Sequence, residues 1–241
     1  VTRLFFLSLA FSLPVSGFQI ASDCLQVVVG TTETWKGSHL SVSIYERSQG
    51  QSWQQTGGPW SGRCGKKGLA WGRGLHPETT SVPIKAEGDW RSPAGVFKLG
   101  GVWGYGKSVE RRPGMSYRQV TTRDLWVEDP ASPHYNKHLI LSHEPRDPWE
   151  KKAQMRQNDY PHSLKLFVAH NVYPKPIPGA GSSIFFHIWR SGGTSPTAGC
   201  SSLKEIHLRS LIARLDPRKK PVYVLLPLQD YRRLKSTWAL P

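Results

Sequence analysis

Glycine and proline recur at 23 and 19 positions along this chain of 241 residues, and that punctuation excludes an architecture of long helices. Proline removes an amide donor and fixes φ, while glycine weakens helix and strand interiors alike. The elements between the breaks must therefore be short. Residues 26–31 and 40–47 read as the first two strands, the second alternating Leu40, Val42 and Ile44 with polar neighbours before Gly50 turns the chain. Further strands are expected at 95–99, 139–142, 164–171, 183–189 and 222–226. Together they describe a mainly β, mostly antiparallel fold with inserted helices.

Two helices stand out. Residues 149–157 follow Pro148 and contain good helix formers, which predicts a short surface helix. The second is marked by Ser202-Leu203-Lys204-Glu205, a capping-box pattern with Ser202 as N-cap. Its apolar stripe, Leu208, Leu211, Ile212 and Leu215, has helical spacing, and Asp216-Pro217 stops it.

The length suits one domain, expected over residues 25–240. Residues 1–17 read as a signal peptide: Arg3 supplies the positive start, residues 4–13 an apolar run too short for a mature span, and Val15-Ser16-Gly17 the small residues for cleavage. The expected location is the periplasm or cell envelope, with no stable membrane span. Asp23 directly before Cys24 argues against lipoprotein processing. Three cysteines leave at least one thiol unpaired; Cys24 and Cys64 could pair or stay reduced, with Cys200 free. A net charge of +15 suits polyanions. Export selects the anionic cell envelope over nucleic acid.

The chemistry concentrates at His187 and Cys200. Alternation along residues 184–189 puts Ile184, Phe186 and Ile188 on a core face, and Phe185, His187 and Trp189 on a face suited to a cleft. The Gly-, Ser- and Pro-containing connection that follows can return Cys200 to the strand. Lying just before the expected helix, Cys200 would gain thiolate character from unpaired amides and the helix dipole. The backbone N–H groups of Cys200 and Ser201 are candidate oxyanion donors, and Gly199 permits close approach.

At these residues the sequence resembles the L,D-transpeptidase catalytic domain family of the YkuD type. That family's signature, a strand His, a Gly-rich connection and Ser/Thr-x-Gly-Cys, is matched by His187 and Thr197-Ala198-Gly199-Cys200. Residues 87–97, Glu-Gly-Asp-Trp-Arg-Ser-Pro-Ala-Gly-Val-Phe, are similar to its upstream Gly-Asp-Gly element, and the likeness extends through Tyr135-Asn136 and Ala169-His170-Asn171. Ala198 stands where the more usual form has His, Ser201 and Ser202 follow the Cys, and Trp90 replaces a Gly. The resemblance implies a β-sandwich with the nucleophile just before a helix, and a cysteine acyltransferase acting on peptidoglycan stem peptides. Cys200 would be the nucleophile and His187 the base and acid, with no metal or organic cofactor. Hydrolysis of the thioester (L,D-carboxypeptidase) and a non-catalytic peptidoglycan-binding module are the alternatives.

Around this pair, Trp189, Thr197, Tyr135, His170 and Asn171 are candidate substrate contacts, and Arg190 could hold a substrate carboxylate. His134 and His138 have the i, i+4 spacing of a helical zinc site, with His143-Glu144 following, but Pro130 and Pro133 disfavour the helix, so a loop beside the cleft is expected. Residues 100–106 are Gly-rich without a Gly-Lys-Ser/Thr element, which excludes a phosphate loop. The ten tryptophans are expected chiefly as packing anchors.

Overall fold

The computed structural model describes residues 17–79 and 83–241; the expected signal peptide falls almost wholly outside them. Strand accounts for 33% of the structure and helix for 14%, so the mainly β expectation holds.

The first three strands, β1 (Gln26–Thr32), β2 (His39–Glu46) and β3 (Gln54–Arg63), form an antiparallel meander. After the short β4 (Leu69–Trp71) comes β5 (Ser92–Gly104), a long strand whose register slips between Leu99 and Val102. An excursion then carries β6 (Tyr117–Gln119), the small pair β7 (Asp124–Trp126) and β8 (His138–Ile140), and helix α1 (Pro148–Lys152). The chain returns as β9 (Leu164–Val168), β10 (Phe185–Ile188) and β11 (Ser201–Leu203), followed by α2 (Glu205–Arg214), β12 (Val222–Pro227) and α3 (Leu228–Leu234).

The expected sandwich is not what forms. Hydrogen bonding runs β12-β1-β2-β3-β11-β10-β9-β5, and β5 pairs again with β12, so these strands close on themselves as a barrel-like sheet. Closure removes the exposed edges that two separate sheets would leave. Inside lie Val28, Val42, Val96, Phe186, Leu203 and Tyr223, all essentially inaccessible to water. Tyr223 reaches across this interior: its ring lies 4.6 Å from that of Phe186, and its hydroxyl is 2.9 Å from the Ser201 hydroxyl. α2 buries Leu208, Leu211 and Ile212 against the same core, as its stripe requires.

A second, smaller cluster sits outside the barrel. Val120, Trp126, Met155 and Phe185 form it, with Trp103, Phe167 and Cys200 packed against them. The excursion between β5 and β9 therefore acts as a cover over one patch of outer barrel wall. Asp124 anchors that cover. Burial pushes its carboxyl up, but hydrogen bonds from Arg118, Thr121 and His138 outweigh burial and hold it at about 2.

Local corrections follow from pairing. Ser202 is not an N-cap: β11 bonds parallel to β10 and antiparallel to β3, burying Leu203, and two strand partners outweigh a capping preference. The helix starts at Glu205 with Lys204 in the cap position. The expected helix at 149–157 is cut to Pro148–Lys152, held by a capping box of Asp147 and Glu150. Cys24 and Cys64 are both free; their thiols donate separately to the carbonyls of Gln26 and Gly37.

Candidate active site

β10 divides its side chains as alternation demands. Phe186 and Ile188 enter the barrel, while Phe185 and His187 face outward beneath the cover. On the neighbouring β9, Lys165 stands opposite His187 in register. The connection from Arg190 to Gly199 doubles back so that Cys200 reaches the same outer face, and His187, Lys165, His162 and Cys200 line one cavity of about 460 Å³. A second cavity of about 260 Å³ flanks the pair and is shared by His162, His187, Ala198 and Cys200. A larger one, about 850 Å³, lies between the segment 18–24 and strands β5 and β12. It holds neither His187 nor Cys200, so size does not mark the chemistry here.

His187 is nearly enclosed, and its Nδ1 lies 2.7 Å from the Ile188 carbonyl. A carbonyl only accepts, so Nδ1 carries the proton and Nε2 keeps its lone pair. Nε2 makes no hydrogen bond among the described residues. Burial pushes the imidazole down to about 3; His162, Arg190 and Lys165 act in the same direction, and the Ile188 carbonyl opposes them.

Cys200 is half-buried, with its thiol 3.4 Å from the Ser183 carbonyl. Burial pushes the thiol up to about 11, although the Phe185 amide and Lys165 favour the thiolate. The expected help from a helix N-terminus is missing because α2 starts only after β11. The resting pair is therefore a neutral thiol and a neutral imidazole.

The turn before the nucleophile is tightly held. Thr197 Oγ1 donates to the Cys200 carbonyl at 2.6 Å and accepts the Gly199 N–H at 3.1 Å. Ser92 Oγ also donates to the Cys200 carbonyl, at 3.1 Å, and accepts the Gly65 N–H. Gly199 has φ +156°, and a Cβ there would meet the Arg91 carbonyl oxygen at 3.0 Å, which explains the glycine. With its N–H taken by Thr197, Gly199 is not a free oxyanion donor. The Cys200 N–H makes no hydrogen bond among the described residues, and Ser201 is drawn into β11 with its hydroxyl turned to Tyr223.

The upstream element supports this turn. Asp89 accepts from Lys85 Nζ and from the Ala86 and Arg91 amides, and Arg91 clamps the Lys67 and Leu69 carbonyls. Trp90 takes a left-handed φ of +62°, which suits the glycine that its position more usually carries, and its exposed ring borders both cavities.

The remaining candidates separate by burial. His170 is enclosed, its Nδ1 accepting from the Arg73 amide at 3.2 Å and its Nε2 donating to the Ala180 carbonyl at 2.9 Å. Asn171, fully buried, ties its amide to Ile177 and Gly181. Both are withdrawn from the surface, and both staple the loop ahead of β10. Tyr135 donates its hydroxyl to Glu87 and is likewise buried. Trp189 is partly buried with Gly193 packed on its ring. Arg190 lines the smaller cavity but is paired with Asp159 at 2.6 Å.

Asn136 links these supports to the nucleophile. Its Oδ1 accepts from Trp126 Nε1 and the Ser183 amide, and its Nδ2 donates to the His170 and Asn171 carbonyls. His162 escapes the sequence reading altogether. Asp159 grips its Nδ1 at 2.8 and 2.9 Å, and its ring lies 5.0 Å from that of His187. The only signal is a carboxylate three positions before a histidine, on a proline turn. His138 is engaged with Asp124 and His143 with Glu150; among the described residues no cluster of His, Cys, Asp and Glu could hold a metal.

No curated protein matches the sequence. A family model does: residues 61–224, which include the Asp89–Ser92 turn, His187 and Cys200, match the L,D-transpeptidase catalytic domain. The chain belongs to the YkuD family of L,D-transpeptidase catalytic domains.

Proposed function

We propose that this protein is an exported cysteine acyltransferase that cross-links peptidoglycan stem peptides through a Cys200 thioester. The observation carrying the reading is the fixed tautomer of His187 in the cavity that Cys200 also lines. With Nδ1–H committed to the Ile188 carbonyl, Nε2 is the basic nitrogen, and the thiol turns from Ser183 to give it the proton.

The sulfur attacks the carbonyl of the L-configured centre of the third, diamino-acid residue. The Cys200 N–H, which has no hydrogen-bond partner among the described residues, receives the developing oxyanion. As the C–N bond breaks, His187 returns the proton to the departing amine of the terminal D-residue. An amine of a second stem then attacks the thioester, giving a cross-link and regenerating the thiol; water in its place gives the carboxypeptidase reaction. A pair that starts neutral makes proton transfer part of the attack, so the imidazole is needed as a base.

The family match and the apolar run at residues 4–13 support this setting, and the charge of +15 suits an anionic wall. Among the described residues no helix is long and apolar enough to cross a membrane. Intact-mass measurement after incubation with a carbapenem tests the acylation. An adduct mapped to Cys200, absent in Cys200→Ser and formed about two to four orders of magnitude more slowly in His187→Ala, is expected. No adduct after prolonged incubation would leave a peptidoglycan-binding module in its place.

A further inference from the structure

Lys165 is a cation enclosed by the fold with no ion-pair partner among the described residues. It is only 4% exposed, yet it lines the cavity that holds Cys200. Its Nζ donates to the Met155 carbonyl at 2.7 Å, and that is its only hydrogen bond among the described residues. Of the acids whose fields reach it, Asp159 is engaged by His162 and Arg190, and Glu128 lines the same cavity without a hydrogen bond to Nζ among the described residues. Taking an ammonium out of water costs far more than one carbonyl returns. An apolar residue on β9 beside Phe167 and Phe185 would avoid that cost. Two N–H donors of the ammonium are left for something that enters the cavity.

We propose that Lys165 is a carboxylate subsite, receiving the α-carboxylate of the residue that departs when Cys200 is acylated. This rests on the acylation proposed above. In such a stem the α-carboxylate is carried by the same carbon as the leaving nitrogen, so attack by Cys200 brings it close to the sulfur. Lys165 and Cys200 line the same cavity. The Phe185 ring, 5.8 Å from Nζ, forms one wall of the site. The subsite selects stem termini: a peptide that continues beyond the leaving residue, or ends in an amide, presents no anion to Lys165.

The test uses two synthetic tetrapeptide stems, ending in the diamino acid and a D-residue, one a free acid and one a C-terminal carboxamide. Acylation is followed by release of the terminal D-residue or its amide. The wild-type protein is expected to prefer the free acid in kcat/KM by about tenfold to a hundredfold, the range for a charge-assisted hydrogen bond in a buried site. In Lys165→Met that ratio should collapse toward one. Equal turnover of the two stems by the wild-type protein, which needs no variant to measure, overturns the subsite and leaves acylation standing. A ratio preserved in Lys165→Met does the same. Release from neither stem would overturn the acylation itself and the subsite with it.

Discussion

The two faces of the β9–β10 pair share backbone and sequence, yet they bury opposite chemistry. Inward, Leu164, Leu166, Phe186 and Ile188 join an apolar interior in which the Tyr223 and Ser201 hydroxyls bond to one another. Outward, Lys165 and His187 are withdrawn from water as well and the adjoining Cys200 is half-buried, and each is held by one main-chain carbonyl: those of Met155, Ile188 and Ser183. A carbonyl fixes position and proton without neutralising charge. The inner face thus supplies stability, while the outer face stores polar groups whose remaining valences point into a cleft.

The comparison breaks most sharply at Phe186. Truncation to alanine should cost about 3–5 kcal/mol of unfolding free energy, because the ring packs on Tyr223 in a closed interior that cannot collapse around the cavity. Urea unfolding measures it. A cost below about 1 kcal/mol would mean that the interior is not the stabilising half of the molecule.

Acid sharpens the contrast next. Burial holds both His170 and His187 down at about 3, against an ordinary value of 6.5. A histidine depressed in the folded state contributes stability that is present above pH 6.5 and is lost as pH falls toward 3, because the unfolded chain takes up the proton first. Each should remove up to roughly 1.4 kcal/mol per pH unit in that window. Unfolding free energies measured at pH 7, 5.5 and 4.5 should decline with both histidines present and decline less steeply in His170→Asn. A flat profile would show that these rings are not withdrawn from water.

Alternation made the inner face legible in the sequence: the hydrophobic spacing of residues 184–188 and the stripe Leu208, Leu211, Ile212 both mark what is buried. Barrel closure was not legible, since it depends on β12 meeting both β1 and β5, distant segments whose apolar runs look alike. At the site, His187 and Cys200 could be found from spacing and from Gly199. Lys165 and His162 could not, because a lysine in a strand and a histidine after a turn read as solvated until the cover of residues 105–163 lies over them. The Ser202 pattern misled because local capping chemistry competes with strand pairing that only the folded sheet supplies.

Thr197 bears on the comparison most finely, since it joins the outer face to the backbone that carries the nucleophile. Its hydroxyl donates to the Cys200 carbonyl and accepts the Gly199 N–H. Valine keeps the shape and loses both bonds. Leaving the buried Gly199 N–H unpaired should cost about 1 kcal/mol, felt where the Cys200 amide must aim at an oxyanion. The expected result is a severalfold fall in kcat with KM nearly unchanged, restored by Thr197→Ser, which keeps the hydroxyl. A rise in KM with kcat intact would instead return Thr197 to the role of a substrate contact. Its hydroxyl then belongs to the cleft, and the rule that outer-face groups act through main-chain partners fails at the residue closest to the sulfur's own backbone.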